Sequence, residues 1–165
     1  MEGLIMKTNA IAILKELCLK QNKQRYPTIP DYARVIHSYT DKTANGLTKC
    51  IIDFINLHNG QAERINNTGR QLDCRTTFQD VLGRTRTIGN IKWIKGTGKN
   101  GTADISATIK GVSVKVEVKI GKDKQSNFQK EYQREVERAG GVYFIAKDFD
   151  SFYNWYFEKF EGYGK

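Results

Sequence analysis

The sequence predicts an α/β fold, in which one small sheet carries helices on its faces. Three observations predict it. Polarity alternates with a period of two over residues 102–109 and again over 112–119, which is typical of half-buried strands. A Ser-x-x-Gln pattern at Ser126 opens a segment whose apolar residues recur at helical spacing. Two glycines then precede an apolar run over residues 142–146, which indicates a further strand.

The N-terminal part is predicted to be a helix followed by an extended segment. Residues 1–21 are amphipathic, with Leu14 and Leu17 on one side, and residues 26–39 contain two prolines. We therefore expect residues 1–39 to form an appendage to a domain that covers residues 40–165. Within that domain we expect a core over about 40–148 and a C-terminal helix over about 149–161.

A core helix is predicted to begin near Thr43. Apolar side chains recur there at helical spacing, and Asn59-Gly60 is typical of a helix end. Residues 61–67 then indicate a short strand. The apolar positions of this helix are Leu47, Ile51, Phe54 and Ile55.

The two alternating segments are joined by only Lys110-Gly111, which predicts a tight two-residue hairpin turn. In that register Asp104 lies opposite Glu117. Opposed side chains have Cβ atoms about 4.5 to 5.5 Å apart, so two like charges there are destabilising unless a proton, a basic side chain or a cation neutralises them. Lys119 shares the face of Glu117, but two carboxylates favour a hard divalent ion such as Mg²⁺. The alternative is a solvated ion pair between Glu117 and Lys119.

Gln129 is the third residue after Ser126 and completes a capping box for a helix that runs to about Arg138. The buried stripe of this helix is predicted to consist of Phe128, Tyr132, Val136 and Ala139.

The chain ends in an aromatic helix over residues 149–160. Its aromatic stripe is typical of core packing or of a dimer contact, and base stacking is the alternative. The three cysteines, Cys18, Cys50 and Cys74, follow no metal or disulfide spacing and are expected to be free core thiols. We find no apolar run long enough for a membrane span and expect a cytoplasmic protein without membrane association.

Positive charge is concentrated ahead of Asp104. Of the net charge of +9, residues 64–102 contribute eight basic residues against two acids. Such a belt predicts contact with the phosphates of a nucleic acid, although a solubilising surface would have the same composition. The candidate nucleic-acid contacts are Arg64, Asn67, Arg70, Arg84, Arg86, Lys95 and Lys99.

Two apparent motifs are set aside. Residues 96–101 match G-x-G-x-x-G, but a strand follows them rather than the helix that a dinucleotide site requires. His58-Asn59 suggests an HNH nuclease, but the chain has two histidines in all and lacks zinc-binding cysteine pairs.

The ordered set of motifs resembles the VRR-NUC branch of the PD-(D/E)XK nucleases, the virus-type replication and repair nucleases. The resemblance runs from about residue 40 to 148 and rests on four short motifs with their spacing. They are Gly101-Thr-Ala-Asp104-Ile, Glu117-Val-Lys119, Ser126-Asn-Phe-Gln129-Lys-Glu-Tyr132 and Gly140-Gly141. The chain departs from the family at Ala103, where a proline is frequent. It also lacks a clear acid on the first core helix, where Asn45 and Thr48 stand, with Asp53 and Glu63 further along.

The resemblance implies a restriction-endonuclease-like core of order α-β-β-β-α-β, with a small mixed sheet flanked by helices and an added helix at each end. It implies that Asp104, Glu117 and the carbonyl of Val118 hold Mg²⁺ or Mn²⁺, that Lys119 activates or positions water, and that Gln129 contacts the metal site or the substrate. The implied activity is metal-dependent hydrolysis of phosphodiester bonds in DNA, with structured or branched DNA as one possible form, leaving a 5′-phosphate.

Three alternatives concern the activity, the nucleic acid and the oligomeric state. A module that binds nucleic acid on the same fold without cutting it is the alternative to an enzyme. RNA is not excluded as a partner, and a homodimer would suit a junction, which has two strands to cut.

Overall fold

The computed structural model describes residues 9–35, 37–66, 69–94, 96 and 98–161. The helices in these residues are α1 (Ala10–Arg25), α2 (Ala44–Leu57), α3 (Asn127–Arg138) and α4 (Phe149–Phe160). The strands are β1 (Gln61–Arg64), β2 (Arg70–Asp73), β3 (Thr76–Gln79), β4 (Thr85–Ile88), β5 (Ile91–Ile94), β6 (Ile105–Ile109), β7 (Val112–Val118) and β8 (Val142–Ala146). None of the described helices is long and apolar enough to cross a membrane.

A four-stranded sheet of order β1-β6-β7-β8 lies at the centre of the molecule. The first two pairings are antiparallel and the last, between β7 and β8, is parallel, with α3 as the crossover between them. The α/β class and the mixed sheet are therefore confirmed. Along the chain, α2 and β1 are followed by four strands outside this sheet, β2 to β5, and then by β6, β7, α3 and β8.

The predicted hairpin register is confirmed. Ile109 is paired with Val112 and Ile105 with Val116, and the turn between them has left-handed φ at Lys110 (48°) and Gly111 (82°). Left-handed φ at both central positions is the geometry of a type I′ hairpin turn, whose twist matches that of the strands. Asp104 directly precedes β6 and so continues the register toward Glu117.

The hydrophobic core lies between one face of the sheet and the helices α1, α2 and α4. Phe54 of α2 is fully buried and contacts the rings of Phe149, Phe152 and Tyr156 of α4 at centroid distances of 5.0 to 6.1 Å. Burying each such ring contributes about 2 to 3 kcal/mol. The C-terminal aromatic helix is thus core packing, as the first of its interpretations predicted.

The N-terminal helix contributes to the same core. Leu14 is fully buried in the cluster that contains the sheet valines, and the Ala10 amide donates to the Asp150 carboxylate at 3.0 Å. Helix α1 extends to Arg25, beyond the predicted end near residue 21. The segment after it is extended apart from one 3-10 turn at Asp31–Ala33. The division of the chain at residue 39 stays a prediction.

The predicted buried stripe of α3 is wrong at both of its ends. Tyr132 and Val136 are half-buried, whereas Phe128 is 60% exposed and Ala139 is exposed. The helix covers only part of the sheet, where Tyr132 contacts the ring of Tyr143 on β8. Phe128 lies in the first turn of α3, and this turn faces the glycine-rich loop around residues 98–102 rather than a strand. Ala139 is the C-cap residue.

Residues 70–94, which we call the β-arm, form a two-stranded ribbon that the sequence analysis did not predict. Strands β2 and β5 pair at its base and β3 and β4 near its tip, in one register from Arg70 opposite Ile94 to Gln79 opposite Thr85. Nearly every residue of the β-arm is exposed. Cys74 lies here and is exposed, so its prediction as a core thiol is wrong, whereas Cys50 is buried and Cys18 half-buried.

Candidate functional site

Glu117 lies on the polar face of the sheet, the face that also carries Glu63, Ser106 and Lys115 in register. Strand alternation puts the valines of β7 in the core on the other face. Glu117 is nevertheless only 1% exposed, because α3 covers this end of the polar face. A carboxylate buried to this extent must be paired or hydrogen-bonded.

Lys119 is the ionic partner of Glu117. Its Nζ lies 3.0 Å from Glu117 Oε1 and 3.3 Å from Asp123 Oδ2, and the residue is 8% exposed. The predicted ion pair between Glu117 and Lys119 is therefore present, but the alternative that it is solvated is wrong, because both side chains are buried. A buried pair is sensitive to the loss of either member, since the remaining charge is left in a low-dielectric environment.

Gln129 forms the predicted capping box and also contacts Glu117. Its Oε1 accepts from the Ser126 amide at 2.8 Å, and Ser126 Oγ accepts from the Gln129 amide at 3.3 Å, which completes the capping box. Its Nε2 donates to Glu117 Oε1. One amide side chain thus fixes the start of α3 and orients the buried carboxylate.

Asp104 is positioned beside Glu117 by the backbone of two strands. Its Oδ2 accepts from the Val118 amide at 2.9 Å, and its carbonyl accepts from the Ile65 amide, which follows β1, at 2.8 Å. The residue is half-buried. The hairpin register brings Asp104 to the strand end beside Glu117, and its negative charge contributes to the raised pKa of Glu117.

The loop that precedes Asp104 in the sequence approaches α3 closely. Gly101 has φ of 78°, and a Cβ at this position would overlap the backbone of Phe128 and Gln129. Only glycine satisfies both conditions. This contact brings the segment that leads into Asp104 against the turn that carries Gln129.

The electrostatics of the site follow from burial. Burial raises the pKa of Glu117, the charge of Asp104 raises it further, and the hydrogen bonds from Lys119 and Tyr143 oppose both effects. For Lys119 burial alone would lower the pKa, but Glu117 and Asp123 outweigh it and the pKa is raised. The lysine is therefore charged at neutral pH. A bound cation would favour the ionised form of Glu117.

Two residues of the site were missed by the sequence analysis. Burial and the charge of Glu117 raise the pKa of Tyr143, whose hydroxyl donates to Glu117 Oε2 at 3.3 Å. Parallel pairing of β7 with β8 brings Tyr143 close to Glu117. The apolar sequence of β8 does not indicate that its tyrosine faces a carboxylate. Asp123 could have been found, since it follows Lys119 by four residues.

The predicted nucleic-acid contacts lie in three places. Arg64 ends β1 opposite Ile105, so its position in the strand is on the face opposite the one that carries Glu117. Arg70, Arg84 and Arg86 belong to the β-arm. Lys99 is in the loop before Asp104 and forms an ion pair with Glu135 of α3. Asn67 and Lys95 lie outside the described residues.

Neither candidate for a third acid contacts the site. Asp53 accepts from Tyr39 at 2.7 Å and from Lys49 at 2.9 Å, beside a separate cavity of about 400 Å³ between α1 and α2. Glu63 is on the polar face, cross-strand from Ser106 and one row from Asp104, and is exposed. Within the described ranges, no three His, Cys, Asp or Glu side chains form a group that could hold a metal ion.

Asp104 and Glu117 nevertheless fit a hard divalent ion in donor chemistry. Both provide carboxylate oxygens, and Mg²⁺ is commonly held by one or two carboxylates with water and substrate phosphate completing the shell. Asp104 Oδ2 already accepts from Val118, and Glu117 accepts three donors. An ion held here would share Glu117 with Lys119 and Gln129.

Comparison with protein-family models and with curated proteins finds no match for the chain.

Proposed function

We propose that this protein is a metal-dependent nuclease of the VRR-NUC type with a restriction-endonuclease-like core. The observation that carries the proposal is the cluster of the buried Glu117 and Lys119 with the half-buried Gln129, beside Asp104. These are the four side chains that the resemblance assigns to the site, and they come from three separate elements. The element order of the core and the parallel β7–β8 pair, connected by α3, support the same proposal.

Asp104 and Glu117 would hold Mg²⁺ or Mn²⁺, together with the carbonyl of Val118. When bound, such an ion polarises the scissile phosphate and lowers the pKa of a coordinated water. Lys119 would orient that water and stabilise the negative charge that develops on the phosphate. Gln129 would act as a positioning residue, because it holds Glu117 through one end of its amide and the α3 cap through the other.

The proposed substrate is DNA, because the net charge of +9 and the basic residues ahead of Asp104 match a phosphate backbone. The guanidinium of Arg64, at the exposed end of β1, would contact a phosphate elsewhere on the same DNA.

The test is incubation of the purified protein with plasmid, single-stranded and branched DNA in the presence of Mg²⁺, Mn²⁺ or EDTA. We expect cutting with metal and none with EDTA. Asp104→Asn and Glu117→Gln should each reduce the rate at least about 100-fold, since each removes a metal ligand. The matched control is Glu158→Gln, which removes an exposed carboxylate of α4 and should leave the rate unchanged.

Metal binding provides a second readout that does not require activity. Mn²⁺ at 100 times its Kd should stabilise the wild type by about 2.7 kcal/mol, and Glu117→Gln should abolish most of this gain. Equal cutting by wild type and Glu117→Gln would contradict the proposal.

A nucleic-acid-binding module without catalysis is the second candidate. Two observations favour it: both carboxylates already have protein donors, and the described residues contain no group of three His, Cys, Asp or Glu side chains that could hold a metal ion. DNA binding in the absence of any metal-dependent cutting, with no thermal shift by Mn²⁺, would select this candidate.

A further inference from the structure

We infer that the β-arm, residues 70–94, binds duplex DNA by lying in one of the grooves of the DNA. This contact would hold the duplex beside the proposed cleavage site. The inference rests on the proposed function for its choice of partner and extends it to a surface and a form of substrate. Four observations carry it: the exposure of the arm, its charge, its tip, and the point at which it leaves the sheet.

The β-arm exposes apolar surface that a free ribbon does not need. Of the thirteen large hydrophobic residues that are exposed in the described chain, eight belong to it. A two-stranded ribbon is at best marginally stable in water by itself. Apolar exposure concentrated in this way is typical of an interaction surface. The eight are Leu72, Phe78, Val81, Leu82, Ile88, Ile91, Trp93 and Ile94.

The charge of the β-arm selects a polyanion as the partner. It contains five basic residues and two acids, a net +3. Arg75 is paired with Asp73 and Arg86 with Asp80. The other three cations, Arg70, Arg84 and Lys92, form no ion pair with any carboxylate in the described part of the chain. A second copy would bring the same positive surface to this one, whereas DNA phosphates complement it.

Basic and apolar side chains share the faces of the ribbon. Because opposed residues project to the same side, Arg70 lies beside Ile94 and Lys92 beside Leu72 at the base. Arg86 lies beside Phe78 near the tip. This combination suits a DNA groove, in which phosphates line the rims and base edges and methyl groups form the floor. Two-stranded ribbons bind in either groove of DNA, and apolar side chains are inserted between base steps from the minor groove.

The tip presents two apolar side chains on an ordered turn. Val81 is 102% exposed and Leu82 69% exposed. Asp80 holds the turn, since its Oδ1 accepts from the amides of Leu82 and Arg84, both at 2.9 Å. Proteins that bend DNA insert such apolar side chains between base steps. Leu82 is placed to do the same.

The β-arm leaves the sheet at the proposed site. Its first strand follows Ile65, whose amide donates to the Asp104 carbonyl, and its last strand leads into the loop before Asp104. The ten residues from Arg70 to Gln79 span about 33 Å, close to one turn of DNA. A duplex held by the arm would therefore have phosphates within reach of Asp104 and Glu117.

The test is fluorescence anisotropy with a 20-base-pair duplex and with one of its strands alone, without metal, at several salt concentrations. Arg70→Gln/Arg84→Gln/Lys92→Gln should weaken duplex binding at least tenfold and reduce the slope of log K against log salt by about 3. Binding of the single strand should change less. Lys15→Gln/Lys20→Gln/Lys159→Gln removes the same charge from exposed positions on α1 and α4 and should change duplex binding less than threefold.

The tip has its own variant pair. Val81→Ser/Leu82→Ser should reduce the bend of the duplex, measured by energy transfer between end labels, and weaken duplex binding several-fold. Tyr32→Ser/Val35→Ser removes two equally exposed apolar side chains elsewhere and should change neither quantity. All substituted positions are exposed, and thermal melts would verify that each variant is folded.

Duplex binding that is unchanged in both arm variants would overturn the inference. So would a dimer in sedimentation experiments that the tip variant converts to a monomer with DNA affinity unchanged, because the arm would then bind a second copy. Metal-dependent cutting together with unchanged duplex binding would overturn the arm alone. Arm-dependent duplex binding without cutting would overturn the proposed nuclease activity and leave the arm.

Discussion

At the scale of single residues, burial decides the chemistry of this site. A carboxylate that is 1% exposed is costly unless its oxygens are satisfied, and Glu117 is satisfied by Lys119, Gln129 and Tyr143. The spacing of Glu117 and Lys119 predicted that they share a face. It could not predict their burial, because that depends on where α3 packs.

The first prediction concerns the buried ion pair. Lys119→Met leaves Glu117 buried without its cation, so the variant should lose about 3 kcal/mol of unfolding free energy at pH 7. Glu117→Gln/Lys119→Met removes both charges and should recover most of the loss. Urea unfolding measures both free energies, and Lys122→Met, at an exposed position, is the control.

The pH dependence of Lys119→Met follows from the same pair. Without the lysine, the pKa of Glu117 rises further above its ordinary value near 4.3. The folded variant then keeps a proton that the unfolded chain has lost, so its stability decreases as pH rises through that interval. The loss relative to wild type should be smaller at pH 5 than at pH 7. A loss that is the same at both pH values would contradict this account.

At the scale of elements, local sequence was sufficient wherever one residue pair determines the geometry. Lys110-Gly111 predicted the hairpin and its register, and Ser126 with Gln129 predicted the start of α3. The β-arm was not predicted, because its strands have four residues each and both faces are exposed. Without a buried face there is no alternation to detect. The exposure of Phe128 could not be predicted for a similar reason. Helical spacing shows which residues share a face of α3, but not how far the sheet extends beneath that face.

The second prediction compares two glycines with left-handed φ. Gly101→Ala and Gly111→Ala should each lose about 1 kcal/mol through backbone strain. A Cβ at Gly111 meets nothing within 4 Å, but at Gly101 it would overlap the backbone of Phe128. Gly101→Ala should therefore lose a further 1 to 3 kcal/mol. Urea unfolding of the two variants gives the difference, and equal losses would show that the loop and α3 do not need this close approach.

At the scale of the whole molecule, two surfaces of the sheet have separate tasks. The apolar face packs against α1, α2 and α4, and the polar face carries Glu117 with its partners. Positive charge is concentrated in the segment between β1 and β6, which was predicted from composition. Its organisation as a ribbon depends on pairing between strands and could not be predicted from composition.

The third prediction tests whether α1 belongs to the cooperative core. Leu14 lies on the face of α1 that packs into the core and is fully buried. Leu14→Ala should therefore lower the free energy of unfolding by about 3 kcal/mol and Tm by roughly 6 to 12 °C. Leu19→Ala, on the less buried side of α1, should lose less than half as much. Unfolding should remain a single transition when followed by far-UV circular dichroism and by tryptophan fluorescence. A helix that belongs to the core cannot unfold without exposing Phe54 and the aromatic rings of α4. If α1 of Leu14→Ala instead unfolds in a separate transition at lower temperature, while the main Tm stays unchanged, residues 1–39 form an appendage.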